Sequence, residues 1–156
     1  MSETLDLAQK LSSEGAKYAE FFASLNDAEW QTEVYTEGAV WTIRNILAHL
    51  MTAERGFIRL FTGILEGGSG ASEDFSIDRY NARQQEKTRD MNPAELLEAY
   101  RQVRSEMVTF VAGLQDPVLE KMGRHPFLGW TSLREMIKMV YLHNQIHYRD
   151  LRRVLR

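Results

Sequence analysis

The sequence predicts an all-α protein folded as a four-helix bundle. Four long segments place apolar residues at intervals of three and four, which is the spacing of an amphipathic helix. Signals for β-strands are weak throughout, and the chain has no internal repeat. Four helices of this length in a chain of 156 residues are typical of a bundle around one core. We therefore expect a single domain over residues 1–156.

The first two predicted helices lie in the N-terminal half of the chain. The first covers about residues 3–26, and the polar loop after it contains Gly38. The second begins with Thr42 as its N-cap and ends at Gly67–Gly68, because glycine readily ends a helix. His49 lies at the edge of its apolar face, and Glu54 lies near the centre. The residues of that face are Ile43, Leu47, Leu50, Phe57, Phe61 and Leu65.

A long polar connection, residues 67–92, separates the second and third helices. Its length is typical of a functional loop or of a crossover between distant helix ends. Favourable helix formers predict a short helix within about residues 77–88. Tyr80, Asn81, Arg83 and Gln84 form either a solvated face of this segment or contacts to a substrate.

The third and fourth helices have clear start signals. Asn92 caps the third, followed by Pro93 in the first turn and Glu95 at the third position, and its apolar stripe continues to Asp116. Ser132 and Glu135 predict a capping box at the start of the fourth. We expect the fourth helix to reach the end of the chain.

Histidines interrupt the apolar seam of the fourth helix. His143 and His147 are four residues apart, so they point the same way and suit a shared metal ion. His49, on another core-facing helix, is the natural third ligand. Three protein ligands leave coordination positions open, which is typical of catalytic rather than structural sites. The alternative is that His143 and His147 are hydrogen-bonded core or interface residues.

Other polar and aromatic residues allow more than one interpretation. Glu54 could orient a ligand histidine, act as a general base, or pair with an arginine, and the arginine pair is the default for a core-facing acid. His125 precedes Pro126 and is interpreted as a surface or loop-packing residue. Trp41, Trp130 and Tyr141 are interpreted as core or bundle-end packing residues rather than as a substrate platform.

The composition excludes several classes of function. The chain contains no cysteine, so disulfides, zinc–thiolate sites and cysteine nucleophiles are excluded. A net charge of -3 gives no electrostatic footprint for nucleic acid, so we expect no nucleic-acid partner. No apolar run is long enough to span a membrane and no signal peptide precedes the first helix, so we expect a cytoplasmic protein without a membrane partner.

Two stretches of the chain resemble motifs of a known family. The run from Trp41 to Leu50, with Glu54 after it, resembles the second-helix motif of the DinB-like (YfiT-like) superfamily. The stretch His125–Leu133, followed by His143–His147, resembles the fourth-helix motif of that superfamily. The similarity spans essentially the whole chain and includes the long crossover between the second and third helices.

The resemblance implies an up-down-down-up bundle that often forms a homodimer. It also implies a divalent metal, such as Zn or Ni, held by His49, His143 and His147. Relatives of this kind include bacillithiol S-transferases and mycothiol-dependent maleylpyruvate isomerase. Tyr148–Asp150 depart from the His-Arg-Gly-Gln ending of many members, so the resemblance does not specify the thiol.

The leading hypothesis is therefore a metal-dependent enzyme that acts on a small molecule. It would transfer a low-molecular-weight thiol, such as bacillithiol or mycothiol, to an electrophilic substrate, and the thiol would be a cosubstrate because the chain has no cysteine. The first alternative is a metal-dependent hydrolase that activates water, with Glu54 as a candidate base. The second is a non-catalytic metal-binding or stress-response module.

Overall fold

Four long helices form the bundle that the sequence predicts. The structure is a computed structural model and describes residues 2–156. The helices are amphipathic and bury their apolar faces against one another. Their bounds are Glu3–Ala23 (α1), Ile43–Leu65 (α3), Pro93–Ala112 (α5) and Leu133–Val154 (α6). Two shorter helices, Asp27–Trp30 (α2) and Ile77–Thr88 (α4), lie in the connections.

The first and last long helices run in the same direction. Near the start of both, Arg134 donates hydrogen bonds to the Glu3 carboxylate. About three turns further along both, Gln145 donates a hydrogen bond to Glu14. Since the contacts advance along α1 and α6 together, these two helices are parallel.

The two middle helices run in the opposite direction. His49, near the start of α3, contacts His147, whereas Phe57, two turns further on, contacts the earlier His143. Thus α3 and α6 are antiparallel. The early parts of α3 and α5 share one core cluster and their later parts share another, so α5 runs parallel to α3 and the chain has the expected up-down-down-up topology.

The apolar core has two parts, one towards each end of the bundle. One cluster includes Phe22, Ile46 and Leu96, so the starts of α3 and α5 lie together beside the end of α1. The other cluster includes Phe61 and Val111 from the later halves of α3 and α5. This arrangement makes α3 and α5 parallel neighbours and leaves the middle of the bundle for polar groups.

The predicted helix starts are confirmed by their caps. The side chains of Thr42 and Asn92 accept hydrogen bonds from the backbone N–H groups of Asn45 and Glu95, respectively. The side chains of Asn45 and Glu95 in turn accept from the backbone N–H groups of Thr42 and Asn92, so both helix starts are capping boxes. At α6, Ser132 accepts from the backbone N–H of Glu135. The Glu135 side chain lies instead 3.6 Å from Lys138, so the reciprocal half of the predicted box is not made there.

The predicted loops contain short ordered elements. The first helix ends at Ala23, because Asn26 starts a new capped turn, α2. Strands Glu33–Tyr35 (β1) and Trp41–Thr42 (β2) pair antiparallel, as do Met122–His125 (β3) and Gly129–Ser132 (β4). A 3₁₀ helix at Asp116–Glu120 follows α5, which ends earlier than its apolar stripe predicts. Strands of two to four residues are too short to show a two-residue period.

The crossover helix α4 packs against α3. Asn45 and Gln85 exchange two hydrogen bonds, at 2.9 Å and 2.8 Å. The Arg44 guanidinium donates to the backbone oxygen of Met91, just beyond α4. These contacts hold the crossover beside the start of α3 and close to His49. Across residues 2–156, no helix combines the length and the apolar character needed to span a membrane.

Candidate metal centre

The three predicted histidines meet in the middle of the bundle. His49 comes from α3, and His143 and His147 come from successive turns of α6. The Nε2 atom of His143 lies 2.9 Å from Nε2 of His49 and 3.1 Å from Nε2 of His147. One nitrogen from each ring lies within 4.8 Å of the other two. The antiparallel packing of α3 and α6 thus brings together residues that are 94 positions apart.

Hydrogen bonds fix the protonation of His147. Tyr35, at the end of β1, donates its hydroxyl hydrogen to Asp150 at 2.5 Å. The same oxygen lies 2.8 Å from Nδ1 of His147, and it has no second hydrogen to donate. Nδ1–H of His147 must therefore donate to Tyr35, which leaves Nε2 unprotonated and able to bind a metal.

Burial keeps the cluster uncharged. Burial, together with the neighbouring His147, lowers the pKa of His49 to about 3. Burial lowers the pKa of His147 to about 4, although Asp150 opposes this shift. Burial and the two neighbouring imidazoles hold the pKa of His143 well below its ordinary range. All three rings are therefore neutral at pH 7, which is the form that binds metals.

Two of the separations between these nitrogens fit ligands of a single divalent ion. Nitrogens at about 2.0–2.1 Å from one zinc ion are about 2.9–3.3 Å apart for ligand angles between right and tetrahedral. The observed separations of 2.9 and 3.1 Å fall in this range. Neutral imidazoles also suit zinc, nickel and copper. Three converging nitrogens in one buried place thus have the donor set of an open metal site.

A cavity of about 650 Å³ reaches the three histidines. Its walls come from α3, α4, α6 and the loops around Ala71 and Pro126. Most of its lining residues are apolar, and Tyr80 and Asn81 of the crossover add polar groups. The apolar lining residues include Trp41, Ala53, Phe57, Leu60, Phe75, Ile77, Phe127, Met139 and Ile146.

The structure separates the two interpretations of the aromatic and crossover residues. Trp41 lines the cavity, and its ring centroid lies 5.0 Å from that of His49, so it is more than a packing residue. Trp130 lies on β4 and is 57% exposed, so the interpretation as a packing residue is wrong for it. In the crossover, Tyr80 and Asn81 face the cavity, whereas Arg83 and Gln84 do not line it.

Glu54 belongs to a polar layer next to the histidines. Both of its oxygens accept from Arg104, at 2.7 and 2.8 Å, and the pair is buried. Arg104 also donates to the backbone oxygen of Leu11 and to Asn144, which accepts in addition from Tyr100. The arginine pair is thus the arrangement observed for Glu54. The hydrogen bonds that orient His147 come from Tyr35 instead, and a catalytic role for Glu54 stays a prediction.

His125 is not the surface or loop residue that the sequence suggested. It ends β3, pairs with Gly129 and is only 1% exposed. The crossover holds this strand in place, because Arg124 donates to Ser69 and accepts from Ala71. The ring therefore lines the cavity, although His125 is not among the three clustered histidines. In the sequence, the only indication that His125 belongs near the site is its place in the family-like motif that includes Pro126.

Comparison with known proteins identifies the family. The model of the DinB superfamily matches residues 10–151, which is nearly the whole chain. The chain therefore belongs to the DinB superfamily. No curated protein matches it significantly.

Solved structures share the fold. One is "YfiT from Bacillus subtilis", described as "a probable metal-dependent hydrolase with an unusual four-helix bundle topology". It matches with a TM-score of 0.78 at 18% identity, over 99% of this chain and 87% of that chain. An uncharacterised protein from Escherichia coli UTI89 matches with a TM-score of 0.72 at 14% identity, over 97% and 90% of the two chains.

A third similar structure is the colibactin self-resistance protein ClbS in complex with a double-stranded DNA. It matches with a TM-score of 0.73 at 12% identity, over 99% of this chain and 94% of that chain. Because one relative was solved with DNA, the expected absence of a nucleic-acid partner stays a prediction. The homodimer, the cytoplasmic location and the single domain over residues 1–156 also stay predictions.

Proposed function

We propose that this protein is a divalent-metal-dependent enzyme in which His49, His143 and His147 hold the ion. The observation that carries the proposal is the convergence of three uncharged Nε2 atoms where a cavity meets the bundle core. The bond from His147 to Tyr35 supports it, since metal-binding histidines usually donate their other N–H to a fixed acceptor. When bound, the ion would supply Lewis-acid chemistry in the cavity.

The remaining residues of the site would bind and orient the substrate. Trp41 and Phe57 give the cavity aromatic walls, and Asn81 adds a polar group near His49. Such a lining suits a small, mainly apolar molecule.

We favour a transferase that uses a low-molecular-weight thiol on an electrophilic small molecule. The chain has no cysteine, so the sulfur would come from the cosubstrate. Three ligands would leave room at the ion for a thiol, and the apolar cavity would receive the electrophile. The second candidate is a metal-dependent hydrolase, which is favoured by the description of YfiT.

Metal stoichiometry tests the site itself. Purified protein equilibrated with zinc, nickel or manganese should hold about one ion per chain, and His147→Ala should lose it, because a ligand is removed. His125→Asn is the matched control, since this histidine lies outside the cluster. Wild-type protein that stays metal-free under all three conditions would refute the proposal.

Activity assays separate the two reactions. Cobalt-loaded protein should change its absorption spectrum on addition of a reduced thiol if sulfur reaches the ion. Turnover of an electrophile that requires the thiol supports the transferase. Hydrolysis of simple esters or amides without thiol supports the hydrolase and contradicts the transferase.

A further inference from the structure

The backbone around His125 fixes which ring nitrogen carries its hydrogen. The N–H groups of Phe127 and Leu128 both donate to Nδ1 of His125, each at 3.0 Å. Nδ1 therefore acts as an acceptor and carries no hydrogen. A neutral imidazole has one N–H, so the hydrogen lies on Nε2. The reversed ring orientation would place a carbon against both amides and leave them without an acceptor.

The ring is neutral at physiological pH. Burial lowers the pKa of His125 to about 4. A charged ring would also carry a hydrogen on Nδ1, where it would meet two donating N–H groups. His125 is therefore held as one tautomer, with Nε2–H as its free donor.

This Nε2–H has no hydrogen-bond partner within residues 2–156, although the atom is buried. Leaving a buried donor unpaired costs about 1–3 kcal/mol, and native proteins rarely do so without a function. The ring lines the cavity and stacks on Phe57, with centroids 5.1 Å apart. Phe57 also contacts His143, at 6.3 Å between centroids, so His125 lies beside the proposed metal site.

We propose that His125 is a substrate-binding residue whose Nε2–H donates to an oxygen of the molecule in the cavity. The ligand class that fits is a mainly apolar carbonyl compound. Its hydrocarbon part would pack on the aromatic walls, and its carbonyl oxygen would accept the hydrogen bond. This assignment deepens the proposed function, because it concerns the same cavity, but the hydrogen bond itself needs no metal.

Two substitutions separate the loop role of His125 from its donor role. In His125→Asn, the side-chain oxygen can accept from the two backbone amides, but no donor occupies the Nε2 position. In His125→Gln, the longer side chain can place an N–H near that position. The Gln variant is therefore the expected rescue, and the Asn variant is the expected loss.

A matched pair of probes differs in the acceptor oxygen alone. 2-Acetylnaphthalene carries a C=O group where 2-isopropenylnaphthalene carries a C=CH₂ group of the same planar shape. Binding of each to the full-length, chelator-treated protein is measured by fluorescence titration. In wild-type protein the carbonyl probe should bind more tightly than the hydrocarbon probe. We expect this preference for the carbonyl probe to fall about 5- to 30-fold in His125→Asn and to recover in part in His125→Gln.

Several results would overturn the assignment. An unchanged preference for the carbonyl probe in the Asn variant would do so, and so would failure of both probes to bind the wild-type cavity. Nitrogen-15 spectra of the histidines supply a second measurement, in which protonated Nδ1 at His125 in wild-type protein would also contradict it. Metal binding is scored separately with His147→Ala, so failure of the metal site and failure of the His125 donor are distinguishable.

Discussion

At the scale of single residues, the hydrogen-bond partners of the ring nitrogens decide what each histidine can do. Tyr35 holds the hydrogen of His147 on Nδ1 and so exposes Nε2 to the cluster. At His125, two backbone N–H groups donate to Nδ1, so the hydrogen lies on Nε2 and the free group of this ring is a donor. The same type of side chain thus presents a lone pair for a metal in one place and a donor N–H in the other.

Removing the Tyr35 hydroxyl tests the first of these arrangements. Tyr35→Phe should weaken metal binding about 10- to 100-fold, because the acceptor that fixes the tautomer of His147 is lost. Competition with a chromophoric chelator measures the change. Tyr141→Phe, on the same helix as His147, should bind as wild type. Equal affinity in wild type and Tyr35→Phe would show that Tyr35 does not orient the ligand.

The sequence predicts some of these residues and not others. His143 and His147 were recognisable because helical geometry relates positions four apart. Tyr35 and Asp150 were not, because the tyrosine approaches His147 across 112 positions of chain. The sequence does not predict the burial of His125 for a similar reason, since that burial depends on the crossover that pairs with its strand.

At the scale of elements, the crossover helix α4 forms one wall of the cavity. Tyr80 donates its hydroxyl to the backbone oxygen of Thr52 at 2.9 Å, which holds α4 against α3. Gly56 leaves room for this contact, because a Cβ there would lie 2.7 Å from the Tyr80 oxygen. A Cβ at Gly63, also on α3, would meet nothing within 4 Å.

These two glycines provide a matched pair of substitutions. Gly63→Ala should stabilise the protein by about 0.5–1 kcal/mol, because alanine favours the helix. Gly56→Ala should lose this gain and loosen α4, since the Tyr80 hydroxyl must move. Chemical unfolding measures the stability, and limited proteolysis within the crossover measures the loosening. Equal stabilisation by both substitutions would contradict the packing of Tyr80 on Gly56.

Helices were predictable from the sequence at the level of individual caps, whereas the hairpins were not. Thr42 and Asn92 combine a capping side chain with a partner three residues on, which is a local signal. The strands β1 to β4 are too short for such a pattern, and their pairing is visible only once the bundle brings their ends together. The periodicity of the sequence therefore does not predict the parts of the cavity wall that these strands support.

At the scale of the whole molecule, buried uncharged histidines link folding to pH. The pKa values of His49, His125 and His147 are about 3, 4 and 4 in the folded chain, below the ordinary value of 6.5. At a pH between the folded values and 6.5, the unfolded chain binds more protons than the folded chain. The free energy of unfolding therefore rises with pH in this window and falls as the pH is lowered through it.

Urea unfolding of the chelator-treated protein between pH 7 and pH 4 measures this dependence. We expect His125 alone to contribute on the order of 3 kcal/mol to the loss, given its shift from 6.5 to about 4. His125→Asn should then show a shallower decline than wild type. Parallel curves for the two proteins would mean that His125 is charged in the folded state or does not titrate there.

The buried pair of Arg104 and Glu54 has a consequence for how the four helices are aligned along the bundle axis. Arg104 of α5 bonds to groups on α1, α3 and α6 at one level of the core. Sliding α3 or α5 by a turn would separate Arg104 from Glu54 and leave a charge unpaired in the core, at a cost of about 3–5 kcal/mol for a broken buried ion pair. We therefore expect the pair to disfavour packings in which α3 and α5 are shifted along the bundle axis. The alignment that it fixes between α3 and α6 is the one that places His49 level with His143.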